Sequence, residues 1–597
     1  MKQTGRRVLS AMCGAADHVR FLGIVFAAFL FLSGHAAGEP QAAADAGLIL
    51  YNGKIVTVDQ GFRIAQAVAV KGDRIVAVGS DADVRKLAAP GAKMIDLKGK
   101  TVLPGLMDSH VHSTGAAMYE FDHEVPEMET MADVLAYVKS RAALLDDGEW
   151  IRVRQVFITR IREQRYPTRE ELDRAAPKNP VYFSTGPDAS LNSLALKLSG
   201  IDKDFEITDG KPGRIERDPQ TGEPTGIIRS AGRFVAAKSS EKSSTKADER
   251  RRLKELLADY NKVGITSIAD RNASDGAVEL YRELRDSKEL TCRVFLSLAV
   301  DAQDSMEDIE ARIRKAAASP LHEYNDMLWL RGIKTFLDGG MLTGSAYMLK
   351  PWGVSKVYSI DDPEYRGMRY IEPGKLFQIA KLALENDLQP TSHSVGSGAV
   401  QALIDAYEEV NNSIPIRDKR PCITHCNFMT QEAIDKMAKL GIVADLQPAW
   451  LERDGATLTK HFGDAGLDYF QPYKSLFEKG VVVGGGSDHM QKIGGLRSIN
   501  PYNPFFGMWI ALARQPRWTD KTLHPEQRIT REQAIRLYTI NNAFLMFQEK
   551  QKGSLENGKL ADLIVLDRDI LTCPVDQVKD IQVEQTYLGG KLVYEAN

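Results

Sequence analysis

Histidine and aspartate side chains stand where apolar, strand-like runs of this 597-residue chain come to an end. His110 and His112 follow the first such run. Alternate residues of a strand point to the same face, so these two imidazoles can hold one ion. His393, His425 and Asp488 each close a further apolar run. Imidazole nitrogens and carboxylate oxygens suit Zn²⁺ and similar divalent ions, so the pattern predicts a metal site assembled from distant segments.

Lys334 lies inside another apolar run, at residues 328–337. An ammonium group is costly to bury and tends to lose its proton there. A neutral amine can react with CO₂ to form a carbamate, whose oxygens could bridge two metal ions. The competing interpretation is a lysine whose amine reaches solvent or pairs with a carboxylate. The residues themselves leave both interpretations open.

The elements that would position these side chains alternate along the chain. Apolar runs of strand length are separated by segments with helical periodicity, such as 251–260, 374–386 and 430–440. The eight runs are residues 102–107, 265–269, 292–300, 328–337, 389–395, 421–426, 442–446 and 480–484. Eight strands with helical crossovers predict an α/β fold, a (β/α)8 TIM barrel. The carboxyl ends of the strands would then meet at one rim and bring the candidate ligands together.

Two further units are expected around a barrel at residues 104–547. About 150 residues separate the first and second runs, which is too long for a structureless loop. We therefore predict an inserted subdomain at about 115–264, lying over the barrel mouth. Short β-rich runs punctuated by Gly and Asp occupy 46–103 and 548–597. They predict a small composite β-sandwich domain built from both chain ends.

Residues 1–38 have the pattern of a secretory signal peptide. Lys2, Arg6 and Arg7 precede the apolar run 21–32, and small residues follow that run. The run is about 12 residues long, short of the ~20 that span a bilayer. We expect an exported protein, periplasmic or secreted, with no stable membrane span once the signal is cleaved. The alternative is membrane anchoring by an uncleaved signal.

Composition excludes several other classes of protein. Lys and Arg number 77 against 80 Asp and Glu, and no long basic run appears, so no nucleic-acid partner is expected. Five cysteines in a chain of this length cannot form a disulfide framework. The expected partner is a small-molecule substrate, and the sequence is compatible with a homo-oligomer.

The chain resembles the metal-dependent amidohydrolase superfamily from near residue 46 to its end. The resemblance rests on LPGLMDSHVH at 103–112, on the later histidines and aspartate, and on GSLENGKLADLIVLD at 553–567. Within the superfamily it is most similar to the N-substituted formamide deformylase-like branch. That branch shares NSLAL at 192–196, GEPTG at 222–226 and the Lys-x-x-x-Asp-Gly segment at 334–339.

The resemblance implies a metal-bearing TIM barrel with a β-sandwich, and hydrolysis of a carbon–nitrogen bond. It implies one or two divalent ions, with Zn²⁺ the expected metal. Carried over residue by residue, it implies the metal ligands His110, His112, His393, His425 and Asp488. Lys334 matches the position that can be a carboxylated bridging lysine.

The sequence departs from the branch at three places. Pro187 and Asp188 stand where a histidine usually precedes the NSLAL segment. Thr424 replaces a glutamate before the sixth-strand histidine, and Ser397 replaces an aspartate after Gly396. These departures bear on substrate identity more than on metal binding.

The working hypothesis is a metal-dependent hydrolase that cleaves an amide or N-substituted formamide by metal-activated water. The metal would lower the pKa of water from 15.7 to about 7 and polarise the carbonyl. Asp488 would act as general base and then general acid, and His425 would help to stabilise the oxyanion. The alternatives are a cyclic amide, ester or lactone hydrolase using the same site, and a non-catalytic binding protein on a degenerate barrel.

Overall fold

A computed structural model describes residues 45–596, apart from 155, 186, 187, 212 and 241. The predicted signal peptide, residues 1–38, and the departure at Pro187 lie outside the described residues. Within them, no helix is both long enough and apolar enough to cross a membrane.

Strands and helices alternate through most of the chain. The strands are β1 (Ala46–Tyr51), β2 (Lys54–Val56), β3 (Ile64–Ala65), β4 (Ala67–Lys71), β5 (Arg74–Gly79), β6 (Ala88–Asp96), β7 (Thr101–Pro104), β8 (Leu106–Val111), β9 (Ile151–Arg154), β10 (Val181–Thr185), β11 (Asp188–Leu191), β12 (Arg214–Arg217), β13 (Pro224–Arg229), β14 (Ile265–Ala273), β15 (Arg293–Ala299), β16 (Leu328–Phe336), β17 (Gln389–Ser394), β18 (Cys422–His425), β19 (Val443–Leu446), β20 (Val483–Gly485), β21 (Leu563–Leu566), β22 (Val583–Leu588) and β23 (Lys591–Glu595). The helices are α1 (Asp81–Val84), α2 (Ser113–Met118), α3 (Met131–Ala142), α4 (Arg169–Ala175), α5 (Ser193–Leu198), α6 (Lys246–Lys262), α7 (Asp275–Asp286), α8 (Met306–Ala317), α9 (Pro373–Glu385), α10 (Ser397–Asn411), α11 (Gln431–Leu440), α12 (Ala449–Phe462), α13 (Tyr473–Glu478), α14 (Pro504–Ala513), α15 (Arg531–Leu537) and α16 (Ile540–Leu545).

Eight parallel strands form one sheet in the order β8-β14-β15-β16-β17-β18-β19-β20. The sheet closes because β8 and the segment after β20 also pair: His112 donates its backbone N–H to the His489 carbonyl at 2.8 Å, and Asp488 donates to the His110 carbonyl at 2.8 Å. Helices α7 to α12 lie between successive strands from β14 onward. The predicted (β/α)8 barrel is confirmed.

The first barrel strand begins later than the sequence predicts. Thr101–Pro104 pairs outside the barrel as β7, and the barrel strand β8 is Leu106–Val111. The chain changes sheets at Gly105, where an added Cβ would lie 2.3 Å from Thr266 Oγ1. The apolar run continues through both strands, so its periodicity does not show where one ends. The second strand also extends to Ala273, four residues beyond its expected end.

Both ends of the described chain share one six-stranded sheet, in the order β23-β22-β21-β7-β2-β3. A second sheet, β5-β4-β1-β6, adds its apolar side to the same buried cluster, which includes Leu50, Val68, Val102 and Leu563. Contacts join the chain from residue 44 onward into a single unit. The division into separate domains at 103/104 and 547/548 therefore stays a prediction.

The segment between β8 and β14 carries its own five-stranded sheet, in the order β12-β13-β11-β10-β9. Trp150, Leu191 and Ile228 belong to a separate apolar cluster of this segment. Helix α6 then returns the chain to the barrel, and it starts at a capping box formed by Thr245 and Asp248. The predicted insertion after the first strand is confirmed.

A buried ion pair links the barrel to the sheet built from both chain ends. Arg293 of β15 donates to both carboxylate oxygens of Asp562, at 2.7 and 2.8 Å. Arg293→Met leaves that buried carboxylate without its cation, and we expect a loss of about 3–5 kcal/mol in the free energy of unfolding. Urea denaturation measures the loss.

The matched control is Arg282→Met on α7, whose pair with Glu279 is close to half exposed on both sides. That variant should lose only about 0–1 kcal/mol. Equal losses in the two variants would contradict a special role for the buried pair.

Candidate metal centre and active-site cavity

His110, His112 and Asp488 bring one ligand atom each to within 4.8 Å of one another. Asp488 Oδ1 lies 3.1 Å from His112 Nε2 and 3.4 Å from His110 Nε2. The buried Nε2 of His110 has no hydrogen-bond partner in the described part of the chain. A cation between these electron-pair donors would offset their mutual repulsion, so the residues fit a divalent metal ion.

Asp445, in the middle of β19, fixes the orientation of His110. Its Oδ2 lies 2.8 Å from His110 Nδ1, and its Oδ1 accepts a hydrogen bond from the Ser109 hydroxyl at 2.6 Å. The Nδ1 proton of a neutral His110 therefore points to Asp445, which leaves the Nε2 lone pair for an ion. Burial holds the pKa of His110 well below its usual value, so the ring stays neutral.

Gln447 fixes the tautomer of His425 in a similar way. The amide nitrogen of Gln447 donates to Asp445, which turns its oxygen toward His425 Nδ1 at 2.7 Å. That nitrogen must then carry the proton, and Nε2 presents a lone pair. Burial also lowers the pKa of His425 well below its usual value. The geometry favours the ligand role of His425, because donating to an oxyanion would require a proton on Nε2.

His393 lies beside His425, with ring centroids 4.4 Å apart. Its Nε2 lies 3.3 Å from the Gly339 carbonyl, to which it can donate, so Nδ1 is the nitrogen left for an ion. Burial lowers its pKa to about 3. Gly339 is held in place by Asp338, whose carboxylate accepts the backbone N–H groups of Val395 and Gly396 at 3.0 and 2.9 Å.

Lys334 is buried within β16, with 1% of its surface exposed. Its Nζ has no hydrogen-bond partner among the residues that the structure describes. Burial lowers the pKa of the amine to about 8, against the opposing influence of Asp488 and Asp445. In the described part of the chain Lys334 forms no ion pair within 4 Å, and its buried amine lies 5.1 Å from the centroid of the Phe336 ring.

The backbone at two of these positions adopts a conformation that is rare for residues other than glycine. His425 has a φ of 80° and Asp488 a φ of 56°. Such conformations cost roughly 1–3 kcal/mol each and persist where the surrounding structure enforces them. Part of that support comes from Asp108, which accepts the backbone N–H groups of His110 and Ser487, both at 3.0 Å.

A cavity of about 620 Å³ opens over the candidate ligands. Its polar wall includes His112, Lys334, His393, His425 and Asp488. The apolar wall is formed by Phe157, Phe336, Met341, Leu342, Trp450 and Met490. Asp270 also lines it, and its carboxylate accepts a hydrogen bond from the Tyr281 hydroxyl at 2.8 Å. The arrangement suits a substrate with one polar reacting group and a bulky apolar part.

The six residues singled out in the sequence thus gather at one end of the barrel. His110, His112 and Asp488 form a compact cluster, while His393, His425 and Lys334 lie along the adjoining wall. Their individual roles stay a prediction.

Sequence reasoning missed Asp445 and Gln447. The only available signal was an acidic residue inside an apolar strand, in the run 442–446. Because a carboxylate is rarely buried without a partner, that position could have been taken as a contact of the site.

The NSLAL motif at 192–196 has a structural role here. Asn192 caps α5 and also donates to the Asn179 carbonyl at 2.9 Å. Of the departures, Asp188 forms a buried ion pair with Arg229, Thr424 is buried in β18, and Ser397 starts α10. None of these three residues lines the cavity.

Comparison with known proteins gives a consistent result. The amidohydrolase family profile matches residues 93–594. An N-substituted formamide deformylase from Arthrobacter pascens is 31% identical over 92% of this chain and 98% of its own length. A solved metal-dependent hydrolase from Pyrococcus furiosus covers 88% of this chain and 100% of its own, with a TM-score of 0.63 at 22% identity. Atrazine chlorohydrolase from Arthrobacter aurescens TC1, solved with zinc, covers 92% of this chain and 95% of its own, with a TM-score of 0.51 at 16% identity.

The family profile and the similarity to the deformylase support a metal-dependent hydrolase that acts on carbon–nitrogen bonds other than peptide bonds. The chain belongs to the amidohydrolase family.

Removing the carboxylate charge behind His110 should weaken cation binding without removing a ligand. Asp445→Asn weakens the hydrogen bond that sets the ring orientation, and we expect the affinity for Zn²⁺ to fall by about 10–100-fold. Competition with a chromogenic chelator measures the affinity.

Asp435→Asn is the matched control, because Asp435 is exposed on α11 and pairs only with surface groups. It should bind Zn²⁺ as the unaltered protein does. An unchanged affinity in Asp445→Asn would contradict the role assigned to Asp445.

Proposed function

We propose that this protein hydrolyses N-substituted formamides or closely related amides at the cluster formed by His110, His112 and Asp488. The observation that carries the proposal is the convergence of two imidazoles and a carboxylate at the floor of a largely apolar cavity. The similarity to a deformylase over nearly the whole of both chains supports the choice of substrate class.

We propose Zn²⁺ as the cation, because two imidazoles and a carboxylate are ligands typical of zinc hydrolases. A divalent cation held there would lower the pKa of water and polarise the substrate carbonyl. For a second ion, His393 and His425 would supply nitrogen ligands. Lys334 would supply oxygen ligands as a carbamate, a modification that suits a buried amine with no hydrogen-bond partner among the described residues.

Asp488 would be the group that moves protons. Its carboxylate faces both the imidazole cluster and the cavity, so it can accept a proton from the attacking water. The same carboxylic acid can then deliver that proton to the leaving nitrogen, which would otherwise depart as an unstable anion. The products of a formamide would be formate and an amine.

The apolar wall would bind the substituent on nitrogen. Phe157, Phe336 and Trp450 offer aromatic surface, while Met341 and Met490 offer flexible apolar surface. Burial of such a group is favourable by about 25 cal/mol per Å² of apolar surface. We therefore propose a bulky, uncharged N-substituent over a small or cationic one.

Export is proposed on the sequence pattern of residues 1–38 alone, with the mature protein in the periplasm or secreted. Self-association into a homo-oligomer also stays a prediction, which light scattering of the purified protein would test.

The assay of the proposal is a panel of N-substituted formamides, N-acyl amines, hydantoins and lactones, supplied to Zn²⁺-loaded protein. Formamides with a bulky apolar substituent should be hydrolysed fastest. Asp488→Asn should lower kcat by about 10²-fold or more, the usual contribution of a general acid–base group, while metal content stays nearly intact.

The control variant is Asp468→Asn, which changes an exposed carboxylate and should retain full activity. Faster turnover of lactones or hydantoins than of any formamide would overturn the substrate class. An unchanged kcat in Asp488→Asn would overturn the role of Asp488.

A further inference from the structure

A buried chain of hydrogen bonds runs from the inserted segment to the backbone of Asp488. Arg160, after β9, donates to both carboxylate oxygens of Asp454 in α12, and the shortest of these bonds is 2.8 Å. Thr159 donates to the same carboxylate at 2.7 Å. Neither side chain of the ion pair is more than 3% exposed. The guanidinium is therefore fixed, and its remaining nitrogen, Nη1, donates to the Ile499 carbonyl at 2.8 Å and to one further group.

That group is the carboxamide of Asn500. Arg160 Nη1 lies 2.8 Å from Asn500 Oδ1, and a guanidinium only donates, so the amide oxygen must face it. The amide nitrogen is then turned toward Asp488. It donates to the Asp488 backbone carbonyl at 2.8 Å and lies 3.4 Å from the carboxylate Oδ2.

Asp488 needs such support because its backbone lies in the left-handed region, with a φ of 56°. Its N–H is held by the His110 carbonyl, and its own carbonyl is held by Asn500. With both peptide groups fixed, carboxylate Oδ1 is directed at the imidazoles while Oδ2 lies on the Asn500 side.

We propose that Asn500 and Arg160 are positioning residues for Asp488. Arg160, held by Asp454, orients the Asn500 carboxamide, and Asn500 holds Asp488 in the strained conformation that aims its carboxylate. The expected loss of kcat rests on the function proposed above. The expected displacement of the Asp488 carboxylate does not depend on that function.

The network also ties the proton-transfer group to the wall of the cavity. Phe157 lines the cavity and stands three residues before Arg160 in the same inserted segment. One short segment therefore contributes a substrate-facing side chain and, through Asn500, fixes the position of Asp488.

The first test is Asn500→Ala beside the control Asn503→Ala. Asn503 caps α14 through its side-chain oxygen, at 2.9 Å from the Phe505 N–H, so its loss removes a buried amide without touching Asp488. We expect kcat to fall at least ~10-fold in Asn500→Ala with KM little changed, because a misplacement of about 1 Å can lower rates on the order of 10²-fold. The control should keep its kcat.

The second readout needs no substrate. Co²⁺ is added in place of the native metal, and its visible absorption reports the arrangement of its ligands. The band should shift in Asn500→Ala and not in Asn503→Ala. Identical spectra of bound Co²⁺ in the two variants would overturn the proposal.

The third test asks whether Arg160 acts through Asn500. Arg160→Lys keeps the charge beside Asp454 but loses the planar fork that reaches Asn500. In the double variant Arg160→Lys/Asn500→Ala, kcat should fall no further than in Asn500→Ala alone. Additive losses would show independent roles and overturn the proposed order.

A crystal structure of Asn500→Ala separates this inference from the proposed function. If the protein hydrolyses no formamide or binds no Co²⁺, the proposed function fails. The position of Asp488 in the crystal structure of Asn500→Ala still tests whether Asn500 is a positioning residue. A carboxylate turned away from His112 supports the positioning role. An unmoved Asp488 overturns it.

Discussion

The site depends on bringing two imidazole nitrogens and a carboxylate oxygen together within 4.8 Å of one another. Asp488 Oδ1 lies 3.4 Å from His110 Nε2 and 3.1 Å from His112 Nε2. Such a cluster repels itself unless a cation lies within it, so the fold must hold it from outside. Closure of the barrel between β8 and β20 provides that support, because the backbone pairing of His110 with Asp488 is part of the seam itself.

A layer of side chains behind the cluster sets the protonation state of each ligand. Asp445 accepts a hydrogen bond from the Nδ1–H of His110, and the amide oxygen of Gln447 accepts one from the Nδ1–H of His425. Burial disfavours a second proton on either ring, since the charged imidazolium would lose its hydration. Asp445 itself is kept in place by Ser109 and Gln447. The hydrogen bonds at Nδ1 and the burial of both rings therefore together leave the Nε2 lone pairs of His110 and His425 available to an ion.

Much of this could be predicted from the sequence, because the chemistry is local to the strand ends. His110 and His112 share a strand face, and the alternation of apolar runs with helical segments indicated which side chains would meet. Asp445 left only an indirect signal, an acidic residue inside an apolar strand, and Asn500 left none, because it lies in a segment with no strand pattern and its partners Arg160 and Asp488 are identified only by the fold. The predicted start of the first barrel strand was wrong. One apolar run covers both β7 and β8, and these strands belong to different sheets on either side of Gly105.

The inserted segment links recognition to chemistry. Phe157 faces the cavity, while Arg160 reaches past it to the support of Asp488. Variation in such insertions can change substrate preference while the barrel strands keep the ligand cluster, which agrees with the diversity of chemistry on this fold.

The most direct measurement is anomalous X-ray diffraction from crystals of purified, unchelated protein, recorded on both sides of the zinc absorption edge. The account predicts an anomalous peak between His110 Nε2, His112 Nε2 and Asp488 Oδ1. Well-ordered density for those three side chains with no peak among them, at the edge of zinc or of any other divalent transition metal, would contradict it.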